Sequence, residues 1–456
     1  MAEGEARVLP SPGRFEARAG TVVIGAGAAG LVAALAAAEA GQDVLVIERD
    51  AVPAGSTALS AGLIPAPGSR WQADAGIEDA PALLAADIAC KTRGEADPAL
   101  ALTLAEGAAP ALEWLADAHG LPFSLVDDFD YPGHSRRRMH GLPSRSGHEL
   151  VDALRAAAEA AGVLVLCGAA VEALLAGEAG RIEGVEALRA GGAERIGCDR
   201  LILACNGFGG NRAMVAHHMS DIAGALWFGH DGNRGEALAW GEALGAQTRH
   251  LGAYQGHGNV AHPYGILITW ATMAEGGVQV NRYGRRFWDE SQGYSEAARA
   301  VLAQPRGEAW AIFDGRIATI ARQFEDFRRA EAAGAIRQGE SPEALAAALG
   351  LPLAALAETL AARDGCPFGR SFAGLPPLAA PFMGARVTGA LFHTQGGLVV
   401  DGAARVMRRG GGAFPNLLAA GGAACGVSGR GDSGYLSGNG LLAAVVLGRI
   451  AGRDAA

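Results

Sequence analysis

Near its start the chain alternates between two kinds of apolar pattern. Val22 to Ile24 and Val44 to Ile47 are short unbroken apolar runs, as in buried parallel strands. Between them Leu31 to Ala40 is an unbroken stretch of helix formers closed by Gly41, so the pattern predicts a strand–helix–strand unit. Further on, "SGHELVDALRAAAEAAGVLVLCGAAVEALL" gives an amphipathic helix followed by a strand. "RIEGVEAL" and "ERIGCDRLILACNGFGGN" form a meander that returns to the sheet. From about 251 to 389 the periodicity loosens, and "RQFEDFRRAEAAGAIRQGESPEALAAALGL" reads as two exposed helices around a turn. "HTQGGLVVDGAARVM" then reads as strand–turn–strand and "PNLLAAGGAACG" as a last strand. "GYLSGNGLLAAVVLGRIAG" is an apolar run of helical length, opened by Ser437 and the glycines and stopped at Gly452.

The first unit carries chemistry. Gly25, Gly27 and Gly30 fit G-x-G-x-x-G between the strand and the helix, with Ala29 inside the motif, and Glu48 closes the second strand. Gly25 permits the tight turn, Gly27 the approach of a pyrophosphate, and Gly30 close helix–strand packing. The helix start offers free N–H groups and a positive dipole end. Glu48 is placed for ribose hydroxyls. Strand, glycines, helix, strand and acid in order point to a dinucleotide, although Glu48 alone does not decide between FAD and NAD.

Composition narrows the class. Half of the 456 residues are apolar, 19% are charged, and the formal net charge is −10, which argues against a nucleic-acid partner. The six cysteines form no C-x-x-C pair, so neither a zinc site, a dithiol couple nor an attached haem is expected. No signal peptide and no membrane span is read, and the expected setting is cytoplasmic and reducing.

The segment "PAGSTALSAGLIPAP" directly after Glu48 resembles the second FAD contact of the fumarate reductase and succinate dehydrogenase flavoprotein superfamily. The resemblance covers nearly the whole chain. It implies an α/β fold: a Rossmann-type (GR2-like) FAD-binding domain, residues 15–250 and 390–456, with an inserted α+β cap or substrate domain at 251–389. Ser56, Thr57, Ser60, Ala61 and Gly62 would wrap the pyrophosphate and flavin edge. Val171 would hold adenine. Ala204, Glu236, Gly421 and Gly422 would lie along the cofactor. Some relatives bond FAD covalently through a histidine in the loop after the ribose acid; none stands here, so non-covalent FAD is implied.

In this superfamily the last helix aims its N-terminus at the pyrimidine edge of the flavin, here with the backbone of Gly440 and Leu441, where it stabilises developing negative charge. Fumarate reductases place a substrate-clamping arginine just before that helix; this chain has Tyr435. "VNRYGRRFWDESQGYSEAARAVL" resembles the N-x-x-G-x-R-F-x-x-E block, and four residues past Glu290 the proton-delivering arginine has become Tyr294. The Glu and Arg of the proton relay fall on Trp270 and Met273. His257 and His393 match two substrate-site histidines. A phenol offers one O–H and no charge at neutral pH, where a guanidinium offers a fixed charge and a fork. Tyrosines at both places are the pattern of the 3-ketosteroid dehydrogenase branch.

The resemblance therefore implies an FAD-dependent α,β-dehydrogenation of a cyclic ketone, a 3-ketosteroid or a smaller oxocyclohexane carboxylate. Tyr435 and the Gly440 N–H would bind the carbonyl, Tyr294 would take the α-proton, and the β-hydrogen would leave as hydride to flavin N5. An external electron acceptor or donor would complete the cycle. Tyr131 and the Arg285–Arg286 pair are candidates to assist the tyrosine base, and "RRRMH" reads as a solvated basic turn or a greeting for an anionic substrate. Two alternatives stay open: a fumarate reductase-like alkene reductase with a non-C4-dicarboxylate substrate, and a flavin protein of assembly or sensing.

Overall fold

A computed structural model describes residues 7–127, 130–362 and 366–453. Five parallel strands form the centre of a nine-stranded sheet, in the spatial order Leu164–Leu166, Val44–Ile47, Ala17–Ile24, Gly192–Leu203 and Ala413–Ala419. Val22 faces Leu45 across the ladder, and all of Val44–Ile47 is buried. Such strands are apolar throughout because both faces of the sheet are covered. Ala170–Ala176 and Ile182–Arg189 add an antiparallel arm to the first half of Gly192–Leu203, and Arg7–Pro10 closes that edge.

The first helix, Ala28–Glu39, is buried on every side from Ala28 to Ala37. A helix that is apolar all round belongs between layers, and here it lies between the sheet and the last helix, Asn439–Arg453. Gly452 does not stop that last helix, as the sequence pattern suggested. It lies inside it, at a point where a Cβ would stand 2.2 Å from the Ala33 carbonyl oxygen. Small residues on both helices let the backbones approach.

A second, seven-stranded sheet is built around the long strand Phe382–Thr394, which pairs with Tyr254–Ala261 on one side and Glu308–Asp314 on the other. Leu226–Trp227 and Ile336–Gly339 also join Phe382–Thr394. The segment expected to be two helices around a turn is therefore helix, strand, helix: Glu325–Ala332 and Pro342–Leu349 flank Ile336–Gly339. Helix Tyr294–Leu302 packs on this sheet through Ala297, Ala298 and Val301.

Candidate active site

The carboxyl ends of the parallel strands open on one cavity of about 700 Å³, where ligands of open α/β sheets bind. Its lining contains Gly25, Gly27, Ala29, Glu48, Ser56, Thr57, Ser60, Ala61, Val171, Ala204, Gly421, Gly422, Gly440 and Leu441 of the residues expected to meet a cofactor. Gly30, Gly62 and Glu236 stand behind that wall. A Cβ on Gly30 would lie 1.8 Å from the Gly25 carbonyl oxygen, so Gly30 sets the approach of helix to turn. Glu236 pairs with Arg49, which does line the cavity.

The lining is arranged by hydrogen bonds that sequence reading did not supply. Glu48 accepts from the Ala26 N–H at 2.7 Å and from the Asp50 N–H at 3.0 Å, tying the end of the second strand to the glycine turn. Thr57 Oγ1 accepts from the Ala28 N–H at 3.0 Å. Ser56 Oγ accepts from Asn206 at 2.9 Å and Asn233 at 2.8 Å. Glu48→Gln keeps the shape and removes the charge from these bonds; FAD affinity, followed by flavin fluorescence, should fall about tenfold or more, since hydrogen bonds to charged groups contribute ~1.5–3 kcal/mol. An unchanged affinity would remove Glu48 from the cofactor site.

At the other end of the cavity the two tyrosines meet. Tyr294 opens its helix after Gly293, and Tyr435 stands just ahead of the last helix; their ring centroids are 6.0 Å apart at 62°. The Tyr294 hydroxyl meets the Ser437 side chain and the Tyr435 hydroxyl. The Tyr435 hydroxyl meets the backbone N–H groups of Gly440 and Gly438. Burial first, then Tyr435, raises Tyr294 well above the usual phenol value. Burial pushes Tyr435 up to about 12, with the Gly440 N–H opposing it. Both are neutral phenols near neutral pH.

The histidines lie against this pair. His257 stacks on Tyr294 with centroids 4.9 Å apart at 18°, and on its other neighbour, Phe392, at 5.3 Å. Its Nδ1 accepts from the Asn259 N–H at 3.1 Å, which leaves the proton on Nε2. His393 stands edge-on to Tyr435, centroids 5.7 Å apart, and Gln395 Nε2 donates to its Nδ1 at 2.8 Å. Ser428 Oγ donates in turn to Gln395 Oε1 at 2.7 Å, fixing which end of the amide faces the ring. Burial lowers His257 to about 3 and His393 to about 4, so neither carries charge at neutral pH. Gln395, only two residues past His393, was legible in "HTQGG" as a polar neighbour of the histidine; Asn233 and Phe392 gave no such signal.

Trp270, expected at the position of a relay acid, lines the cavity edge-on to Tyr294 and His257; Met273 is buried outside the lining. Tyr131 lines the cavity but does not assist a Tyr294 anion as expected, because its charge would raise Tyr294 further. The Arg285–Arg286 pair does not assist: Arg285 is exposed near Glu358 and Arg286 is held by Glu290, both away from the lining. Three arginines do reach the cavity wall, each engaged by another side chain: Arg49 with Glu236, Arg145 with Gln323, and Arg329 with Asp326. The basic turn at 136–138 is divided. Arg136 and Arg137 are exposed, but Arg138 is fully buried, with its guanidinium on Asp79 and Asp87.

The family model described as an FAD binding domain matches residues 20–441. The chain belongs to the fumarate reductase and succinate dehydrogenase flavoprotein superfamily. It is 30% identical over 447 residues to a probable fumarate reductase of Shewanella frigidimarina, covering 95% of this chain and 74% of that protein. It is 26% identical to a 4-oxocyclohexanecarboxylate 2-dehydrogenase of Sinomonas cyclohexanicum, covering 95% of this chain and 93% of that protein. The solved 3-ketosteroid-Δ4-(5α)-dehydrogenase of Rhodococcus jostii shares the fold, with a TM-score of 0.75 and 24% identity over 98% of this chain and 99% of that one. The chain is thus an FAD-dependent oxidoreductase acting on CH–CH groups. Its cavity fits FAD by its own features. The first and last helices both open on it, and on its wall the buried Trp227 Nε1, Trp240 Nε1 and Thr394 Oγ1 lack a partner among the described residues. Among the described residues no helix is long and apolar enough to cross a membrane, and no group of three potential ligands could hold a metal.

Proposed function

We propose that this flavoprotein desaturates a cyclic ketone next to its carbonyl, using non-covalently bound FAD. The observation that carries the reading is the contact between two neutral phenols in a cavity end where the facing histidines are also neutral. Such a surface can polarise a ketone by hydrogen bonding, and the two phenols and two imidazoles themselves offer no fixed cation to a pair of carboxylates. The 4-oxocyclohexanecarboxylate dehydrogenase among its relatives supports a small ring as substrate, and the ketosteroid dehydrogenase fold is compatible with a larger one.

In this reading each proton has a carrier. The Tyr435 hydroxyl lies beside the Gly440 N–H and the ring of Tyr294, and in this reading it donates its own proton to the ketone oxygen. As the α-C–H bond breaks, Tyr294 takes that proton and passes its own to Tyr435, while Tyr435 gives its proton to the carbonyl. The product is the enol, and neither phenol has to exist as an anion first, which matters because burial opposes both phenolates. Bound FAD supplies the acceptor for the β-hydrogen, which leaves as hydride. The enol proton then returns to Tyr435, and one proton leaves by way of Tyr294 and Ser437. The substrate thereby loses one hydride and one proton, and an external electron acceptor restores the oxidised state.

In this reading residues 15–250 and 390–456 are the FAD-binding part and 251–389 the cap. The cap contributes His257, Trp270 and Tyr294, and the FAD-binding part contributes His393, Tyr435 and Gly440. A cytoplasmic, reducing setting suits six unpaired cysteines. A second reading, reduction of an alkene, is supported by the identity to a probable fumarate reductase and by the two histidines. Product analysis separates the two. With an artificial electron acceptor, a panel of cyclohexanones, oxocyclohexane carboxylates and 3-ketosteroids should yield at least one conjugated enone. No enone from any of them, with turnover of fumarate-like alkenes by the reduced enzyme, would replace the first reading by the second.

A further inference from the structure

A polar network behind the phenols takes no part in the steps above. His134 Nε2 lies 3.0 Å from the Ser437 carbonyl oxygen, and its Nδ1 lies 3.3 Å from Arg138 NH1. Arg138 is fully buried. It meets Asp79 as fork on fork, Nε to Oδ2 at 2.7 Å and NH2 to Oδ1 at 3.0 Å, while NH1 also reaches Asp87. A guanidinium has only donors, so it occupies the Nδ1 lone pair and leaves the single imidazole proton on Nε2, facing Ser437. Burial, and then Arg138, lowers His134 to about 4, in keeping with that neutral ring. The loop is seated closely on the strap it touches: a Cβ on Gly133 would stand 2.7 Å from Leu436 Cδ1.

The bonded carbonyl belongs to the Ser437–Gly438 peptide. That peptide begins two residues past Tyr435, and Ser437, Gly438, Tyr435 and Tyr294 line the same cavity, where the Gly438 N–H favours the Tyr435 anion and the Ser437 side chain the Tyr294 anion. Donation to a peptide carbonyl polarises the group and strengthens its N–H as a donor. We infer that His134 is a positioning residue for both phenols. Its Nε2–H holds the Ser437–Gly438 peptide so that one face serves Tyr435 and the serine serves Tyr294, and the Arg138–Asp79–Asp87 cluster holds the imidazole. The inference rests on the ketone reading for its kinetic consequence, and not for its geometry.

FAD-loaded His134→Leu and His134→Gln test it together, since glutamine returns an N–H near the position of Nε2. In His134→Leu, kcat for a ketone that the wild type oxidises should fall about 10- to 100-fold, the scale of a misplaced catalytic group, with KM and FAD affinity unchanged. His134→Gln should restore most of it. Equal losses in both variants, or a wild-type kcat in His134→Leu, would overturn the inference. If the wild type oxidises no ketone, the ketone reading fails by itself and crystal structures of the two FAD-loaded variants still decide the positioning role. A Ser437–Gly438 peptide turned in His134→Leu and restored in His134→Gln supports it; a peptide unmoved in both overturns it.

Discussion

Tyr294→Phe is expected to slow ketone oxidation by about 10²–10⁴-fold while the protein stays yellow, the range for loss of a positioned proton-transfer group. The ring remains, so the stacking on His257 and the edge contact with Trp270 survive. What disappears is the hydroxyl between Ser437 and Tyr435. Stopped-flow flavin absorbance measures the rate and released FAD measures binding. Because the two phenols pass protons as one unit, the Tyr294→Phe, Tyr435→Phe double variant should be little slower than the worse single variant. Additive losses would mean that the hydroxyls act separately.

Gly30→Val should give no FAD-loaded protein at all. A Cβ there would stand 1.8 Å from the Gly25 oxygen and 3.3 Å from Val23 Cγ1, so the helix start must move off the glycine turn that lines the cavity. Overpacking a rigid core costs ~1–3 kcal/mol when side chains can yield; here the first obstacle is backbone. Flavin content after purification and the thermal unfolding midpoint report both consequences. Wild-type flavin content in Gly30→Val would show that the turn is looser than described.

What sequence could reveal followed from the range of the forces involved. The unit from Val22 to Ile47 was legible because parallel strands and a doubly covered helix need apolar runs, and a pyrophosphate turn needs its glycines within a few residues. The strand Ile336–Gly339 was not, since "IRQG" is short, half polar and defined by its partner Phe382–Thr394. Gly452 misled because a glycine that lets two helices touch looks, in sequence, like one that ends a helix. Arg138 resembled its exposed neighbours Arg136 and Arg137. Its burial depends on Asp79 and Asp87, which are 59 and 51 residues away along the chain. The tyrosine pair was found only through the superfamily framework, since 141 residues separate Tyr294 from Tyr435 (435 − 294) and no local pattern joins them.

Oxidation of a ketone by a pair of neutral phenols beside FAD is tested most directly by anaerobic mixing. Oxidised, FAD-loaded protein mixed without oxygen with 4-oxocyclohexanecarboxylate, cyclohexanone and a saturated 3-ketosteroid should lose its yellow absorbance with at least one of them, releasing one enone per flavin. Retention of full colour with every ketone, together with recolouring of dithionite-reduced protein by fumarate, would contradict it.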